Sequence, residues 1–309
     1  MTTYKYSFTL VLTLIYLTLC GQEVEEDKGF CRINCDPNIH IENTLELYQI
    51  LQSDTVDQLI DSYEVLRFPI KIIFVNDLNK VPKSFDETAT KSIIDRLNHA
   101  YRDTKIEFYL EGVLALSSDL KIEDLSQNNF NIYEDFSQKN DKEDIISLYI
   151  LDHKKDFCTK TEFSLSCSKI GGFSFILSGR TNNIVMSQFD LMDEKIVAHE
   201  FGHFFGLYHT FEEYLFGRDK FIAAECSTTG DQICDTPPDP GAVFEVYVNY
   251  SRCEMMEWKD ELGNEYRPLI DNYMSYYKPC YLKDYSFTPQ QNMLMTMASQ
   301  LHLRKRLSR

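Results

Sequence analysis

Between residues 56 and 151 the spacing of apolar residues switches between helical and strand periods, and the switches outline the first half of the chain. Val56, Leu59, Ile60, Tyr63 and Leu66 recur at helical spacing. Pro69-Ile70-Lys71-Ile72-Ile73-Phe74-Val75 is an apolar, β-branched run bounded by Asn76-Asp77, and it predicts a strand. Asp86 stands where an N-cap belongs, ahead of a helix to about Tyr101 that turns Ile93, Ile94, Leu97 and Tyr101 inward. Residues 105–116, carrying Ile106, Phe108, Leu110 and Val113, predict a second strand, and residues 145–151 a third, buried one. The stretch 117–144 between them is polar and predicts an irregular surface insertion. Gly171-Gly172-Phe173-Ser174-Phe175 and Asn183-Ile184-Val185-Met186 predict two short strands ahead of the next helix. Strands alternating with helices, then a loop-rich and cysteine-rich second half, predict an α+β domain.

That next helix carries the chemistry. His199-Glu200-Phe201-Gly202-His203-Phe204-Phe205-Gly206-Leu207-Tyr208-His209 fills all five positions of H-E-x-x-H-x-x-G-x-x-H, three of them with histidine in a chain that has seven. Four residues apart on a helix, His199 and His203 project from one face and bring two imidazoles to one metal ion. Gly206 ends the helix, because glycine takes a left-handed conformation without a Cβ penalty, and the chain returns His209 as third ligand. Three protein ligands with one position left for water mark a catalytic zinc. Glu200, beside His199, is placed to take the proton of that water.

Downstream the period is lost and then regained. Gly230-Asp231-Gln232-Ile233-Cys234-Asp235-Thr236-Pro237-Pro238 reads as a rigid, acidic loop, and Asn272-Tyr273-Met274-Ser275-Tyr276 follows it. At Phe287-Thr288-Pro289-Gln290-Gln291 a helix begins: Thr288 caps it, Pro289 fits its first turn and Gln291 completes a capping box. Met293, Met297 and Leu301 give that helix a buried stripe, and Arg304, Lys305, Arg306 and Arg309 favour its negative end.

A net charge of −17 makes nucleic acid and anionic membrane poor partners. Residues 1–20 have the plan of a secretory signal, with Lys5, an apolar run over 7–19 and a polar turn from Gly21. Such a run is too short to span a bilayer with ease, and no other stretch is long and apolar enough to do so. A short membrane anchor and lipidation at Cys20 are the alternatives to cleavage, lipidation ranking lower because Leu19 is bulky for the position before a lipidated cysteine. Setting Cys20 aside leaves Cys31, Cys35, Cys158, Cys167, Cys226, Cys234, Cys253 and Cys280, an even set that predicts disulfides in a secreted protein. Cys158 and Cys167 flank a short loop they are able to staple, and two bridges are expected among Cys226, Cys234, Cys253 and Cys280.

The extended histidine motif followed by a methionine-containing turn resembles the metzincin metalloproteases. The motif with Thr210-Phe211, then Cys234-Asp235-Thr236-Pro237-Pro238-Asp239, then Asn272-Tyr273-Met274-Ser275-Tyr276 with Cys280 and Phe287-Thr288-Pro289-Gln290-Gln291, is similar to the pappalysin branch over roughly residues 68–301. The resemblance implies a mixed twisted sheet with helices above a cleft, an upper subdomain to about residue 206, and a loop-rich, disulfide-braced lower one over 207–309 with a C-terminal helix. It implies a secreted zinc endopeptidase acting on protein or peptide substrates. His199, His203 and His209 would be zinc ligands, Glu200 the general base and acid, Met274 the methionine beneath the metal, and Tyr276 a donor to the oxyanion. Gly171-Gly172-Phe173 resembles the edge strand that holds an extended peptide. Asp231, Asp235 and Thr236 stand where family members bind calcium through hard oxygen ligands.

The expected domain plan is a signal peptide at 1–20, an N-terminal extension or pro-segment at 21–67, and a catalytic domain at 68–309. Cys31 or Cys35 would be the inhibitory cysteine of a pro-segment, although a local pair between them is simpler. Pro279 stands where the arginine-directed member of the family has an aspartate, so arginine preference does not carry over. Two alternatives stay open: a secreted binding protein that keeps the fold without turnover, and a gluzincin-type hydrolase using Glu225 in place of His209.

Overall fold

The β-branched run around Ile70 becomes the second strand from one edge of a sheet. The protein is described here by a computed structural model covering residues 41–308, apart from 77, 127–129, 143, 154–158, 161–164, 167–170, 175–181, 212–225, 227–229, 240, 242–246, 258, 260–262, 264 and 279–282. The expectations for the signal segment, Cys20, Cys31, Cys35, Cys158, Cys167, Glu225, Pro279, Cys280 and Arg309 therefore lie outside the described residues.

Two helices come first, α1 (Ile41–Leu51) and α2 (Val56–Ser62). Then follow β1 (Leu66–Asn76), α3 (Glu87–Ala100), β2 (Ile106–Ser117), α4 (Ile122–Ser126), α5 (Phe130–Asn140) and β3 (Ile146–Leu151). After these come the short β4 (Thr159–Lys160) and β5 (Leu165–Ser166), then β6 (Gly172–Ser174), β7 (Asn183–Ser187) and α6 (Glu194–Phe204). The second half has β8 (Val248–Asn249), β9 (Glu254–Met255), α7 (Pro289–Gln300) and α8 (His302–Lys305). The main sheet is five-stranded and mixed, in the order β2-β1-β3-β7-β6, with only β6 antiparallel to its neighbour.

Every residue of β3 and β7 is buried, which requires cover on both faces of the sheet. Alternation along the strands divides the cover. Ile72, Phe74, Leu148, Ile150, Ile184 and Met186 pack in one cluster with Ile93, Leu97, Phe201 and Phe205 of the α3 and α6 side. Ile73, Val75, Tyr149, Leu151 and Val185 pack in another with Ile122, Leu125, Tyr133 and Phe136. The stretch 117–144 is thus two helices rather than an irregular insertion. Its apolar residues are few, but their three-residue spacing puts them on the single face that covers the sheet.

Two other boundaries moved. Leu66 starts β1 instead of closing a helix, because it pairs with Ile106 of β2 and extends the ladder at that end. Pro69 is tolerated inside this strand since the pairing with β3 begins only at Ile70, leaving that side without a ladder there. On α7, Leu294, Met295, Met297 and Ala298 are buried, whereas Met293 and Leu301 of the expected stripe are only half-buried. The helix is covered on more than one side because α1 and α2 pack against it, and Leu47, Tyr48 and Leu51 of α1 join the main core. The capping box is present as expected: the Thr288 side chain accepts from Gln291 N, and the Gln291 side chain accepts from Thr288 N.

Arg304 does not serve the end of its own helix. It is fully buried, its Nε donates to the carbonyl of Phe204 at 3.0 Å, and its guanidinium lies 3.6 Å from the centre of the Phe204 ring. Phe204 is the last residue of α6, so the cation sits at the negative end of the histidine-bearing helix. Cys226 and Cys234 are disulfide-bonded, and Cys253 is also in a disulfide.

Candidate metal centre

Asp193 caps α6 by accepting from Lys195 N, and the eleven-residue helix then presents His199 and His203 one turn apart. Its C-terminus is a Schellman motif: Leu207 N donates to Gly202 O and Gly206 N to His203 O, with Gly206 at φ 102°. That conformation favours glycine, and it swings the chain so that His209 returns to the helix face. All three histidines are buried, and their ring nitrogens lie within 4.8 Å of one another. Among the described residues this is the group of histidine, cysteine and carboxylate side chains arranged to hold a metal ion.

The hydrogen bonds state which nitrogens face the centre. His199 Nδ1 lies 2.8 Å from the carbonyl of Tyr273, and His203 Nδ1 lies 2.7 Å from the carbonyl of Leu207. A carbonyl only accepts, so both Nδ1 atoms carry the proton and both Nε2 atoms present a lone pair. His203 Nε2 is 3.1 Å from His199 Nε2 and 3.1 Å from His209 Nε2. Two bare imidazole nitrogens cannot bond to each other, whereas a cation between them turns the contact into ligation. Burial, reinforced by the neighbouring imidazoles, holds His199 and His203 well below the usual histidine range, which keeps them in the neutral ligand form.

Glu200 is fully buried beside this centre. Strand β6 passes against it. A Cβ on Gly172 would stand 2.9 Å from Cγ, Cδ and Oε1 of Glu200, so the carboxyl occupies space that only glycine leaves. Two residues on, Ser174 Oγ donates to the Glu200 carbonyl at 2.7 Å. Edge strand and helix are therefore held together at Glu200.

The turn at Met274 is held from several sides. Asn272 and Gln291 exchange side-chain amide hydrogen bonds, and Asn272 Oδ1 also accepts from Met274 N. Tyr273 gives its carbonyl to His199 and its hydroxyl to Glu194 Oε1 at 2.7 Å, while Lys195 Nζ donates to the carbonyl of Tyr277. The first turn of α6 thus clamps the very segment that orients its second-turn histidine. Met274 is fully buried and packs against Gly202, where a Cβ would come within 2.6 Å of its sulfur. Gly202→Ala is accordingly expected to lower the unfolding free energy obtained from urea titration by about 1–3 kcal/mol through overpacking, and to be less than additive with Met274→Ala in a double-mutant cycle. Full additivity would separate the two residues.

Tyr276 is half-buried, and its hydroxyl lies 3.1 Å from His209 Nε2. Phe211 stacks on His209 with ring centres 4.8 Å apart and planes 7° apart, and it also meets Tyr276 at 4.5 Å. Asp231, Asp235 and Thr236, expected to offer oxygens to calcium, meet in a loop brace. Asp231 Oδ1 accepts from Thr236 Oγ1 and Ile233 N, and burial raises its carboxyl well above the usual range. Asp235 accepts from Thr288 Oγ1 and Gln290 N at the start of α7. Gly202 and Glu194 carry no catalytic signature in the sequence, and Gly172, Asn272 and Phe211 stand out there only within the stretches that carry the family resemblance. Only the double glycine before Phe173 hints at a close backbone approach.

Comparison with known families agrees with this geometry from both sides of the histidines. Residues 88–210 match the family model described as metallo-peptidase family M12B reprolysin-like, and residues 181–300 match that of pregnancy-associated plasma protein-A. Over these two stretches the chain is similar to both metallopeptidase families. It is 33% identical over 122 residues to an extracellular metalloprotease of Pyricularia oryzae, covering 39% of this chain and 35% of that one. It is 33% identical over 102 residues to an extracellular metalloprotease of Colletotrichum graminicola, covering 33% and 29%. The chain thus spans about a third of the length of the curated relatives it matches. A structural likeness to metalloproteinase-II from Bacteroides fragilis has a TM-score of 0.30 at 13% identity, covering 48% of this chain and 45% of that one.

Proposed function

We propose that the protein is a pappalysin-type metzincin, an exported zinc endopeptidase that hydrolyses internal bonds of protein or peptide substrates. The observation that carries the proposal is the convergence of three Nε2 atoms, two of them with their Nδ1 protons committed to backbone carbonyls. Three nitrogens on a tetrahedral ion with bonds of about 2.0–2.1 Å would stand roughly 3.3 Å apart, close to the 3.1 Å contacts here. Zinc held there would supply a Lewis acid for the scissile carbonyl and lower the pKa of a water molecule toward neutrality.

The remaining work falls to the protein. Glu200 takes a proton from the attacking water and returns it to the leaving amide nitrogen, a transfer favoured by its seclusion from bulk solvent. An extended substrate lies along β6, the outer strand of the sheet next to Glu200, and bonds to its backbone. Tyr276 donates its hydroxyl to the carbonyl oxygen as that oxygen becomes an anion. Export is supported by the signal-like segment 1–20, by the Cys226–Cys234 disulfide and by the names of the relatives. No described helix is long and apolar enough to cross a membrane.

Zinc content and peptide hydrolysis measured on the same sample test the proposal. One zinc per chain is expected, with cleavage lost to a chelator and restored by added zinc, and His209→Ala should bind zinc more weakly. Undiminished cleavage without zinc would refute it. Zinc binding with no cleavage of any peptide would favour a binding protein on the same fold.

A further inference from the structure

Behind the metal centre, one buried carboxylate gathers two segments that are far apart in sequence. Asp239 Oδ2 accepts from Thr210 Oγ1 at 2.5 Å, and Asp239 Oδ1 accepts from Tyr277 Oη at 2.9 Å and from Gly241 N at 2.8 Å. Thr210, Asp239 and Tyr277 are all buried. Thr210 immediately follows His209, and Tyr277 immediately follows Tyr276. The same turn supports the pair a second way. Gly241, at φ 84°, lies against Phe211, with the position of a Cβ 3.6 Å from its ring, and Phe211 stacks on His209 and touches Tyr276.

All three partners of Asp239 are donors, so the ionised carboxylate satisfies each of them without a proton of its own. An asparagine in its place can still accept from Tyr277 Oη and Gly241 N, but puts an N–H where Thr210 Oγ1 now donates, so that this hydroxyl has to turn and accept while its own proton loses its acceptor. The change loosens the segment that carries His209 and Thr210. The distance at stake is the 3.1 Å between the Tyr276 hydroxyl and His209 Nε2, and displacements of about 1 Å at a reacting centre are costly.

We propose that Asp239 is a positioning residue for the His209–Tyr276 pair, holding the third histidine and the tyrosine hydroxyl in register from behind. The proposal rests on the zinc peptidase function above. It is tested on the full-length protein loaded with cobalt(II), whose visible spectrum reports ligand geometry independently of turnover. Asp239→Asn should shift the cobalt d–d bands and lower kcat by about 10–100-fold, the range for residues that orient metal ligands, with little change in KM. A lower melting temperature with an unchanged spectrum and kcat would make Asp239 a brace for the fold alone and overturn the proposal.

Two milder variants cover the case in which Asp239→Asn does not fold. Thr210→Val removes the donor on the histidine side and should shift the cobalt spectrum. Tyr277→Phe removes the donor on the tyrosine side and should lower kcat with KM retained. Wild-type values of both quantities in both variants would also overturn the proposal. A wild-type protein that takes up no cobalt refutes the peptidase function itself, and this inference with it.

Discussion

Glu200→Gln is expected to keep its zinc and to lose peptide hydrolysis by about 10²–10⁴-fold, the usual contribution of a positioned proton-transfer group. The substitution is nearly isosteric, which matters at a site where Gly172 leaves the carboxyl no spare room. Glutamine fills the same space but accepts no proton at neutral pH, so folding and metal uptake should survive while water activation fails. The three imidazoles do not include this side chain among their contacts to the centre, and zinc stoichiometry should therefore stay at the wild-type value. Zinc content and kcat/KM measured together check both halves. Turnover comparable to wild type would remove Glu200 from the mechanism, and loss of zinc would make it a determinant of metal binding instead.

Tyr276→Phe should lower kcat by roughly 10²–10³-fold while leaving KM close to its original value, as for the loss of one donor to a developing oxyanion. The reason lies in when the hydrogen bond forms. The hydroxyl stands at His209 Nε2, the nitrogen that faces the centre, and in the proposed mechanism it would donate to the substrate oxygen only as charge develops there. The ring packs against both His209 and Phe211, and phenylalanine keeps those contacts, so the ground-state site is preserved. Steady-state kinetics on one peptide separate the outcomes. An effect confined to KM would return Tyr276 to a packing role.

What was legible from residue order alone was whatever depends on neighbours a few positions away. The i, i+4 histidines, the glycine that reverses the helix end, the Asp86 cap and the Thr288–Gln291 capping box are all local devices. Their geometry follows from helix pitch and backbone sterics, so spacing suffices to read them. Buried strands were legible too, as apolar runs with a period of two or none. The two helices at 122–140 escaped notice because each buries only a pair of large side chains within a polar stretch.

Other features come from segments brought together across the fold, where no period or spacing announces them. His199 is oriented by the carbonyl of Tyr273, Glu200 fits because Gly172 stands opposite, and Met274 fits because Gly202 does. Arg304 reads as a charge serving the negative end of the C-terminal helix, yet it is buried on the Phe204 carbonyl at the end of α6. Asp239 reads as one acid in an acidic loop, yet it binds the two residues that follow His209 and Tyr276. A backbone carbonyl or a missing Cβ has no residue-type signature, and a buried charge is recognisable only by its partners. Such contacts become definite when packing excludes water and every buried donor and acceptor must find a mate.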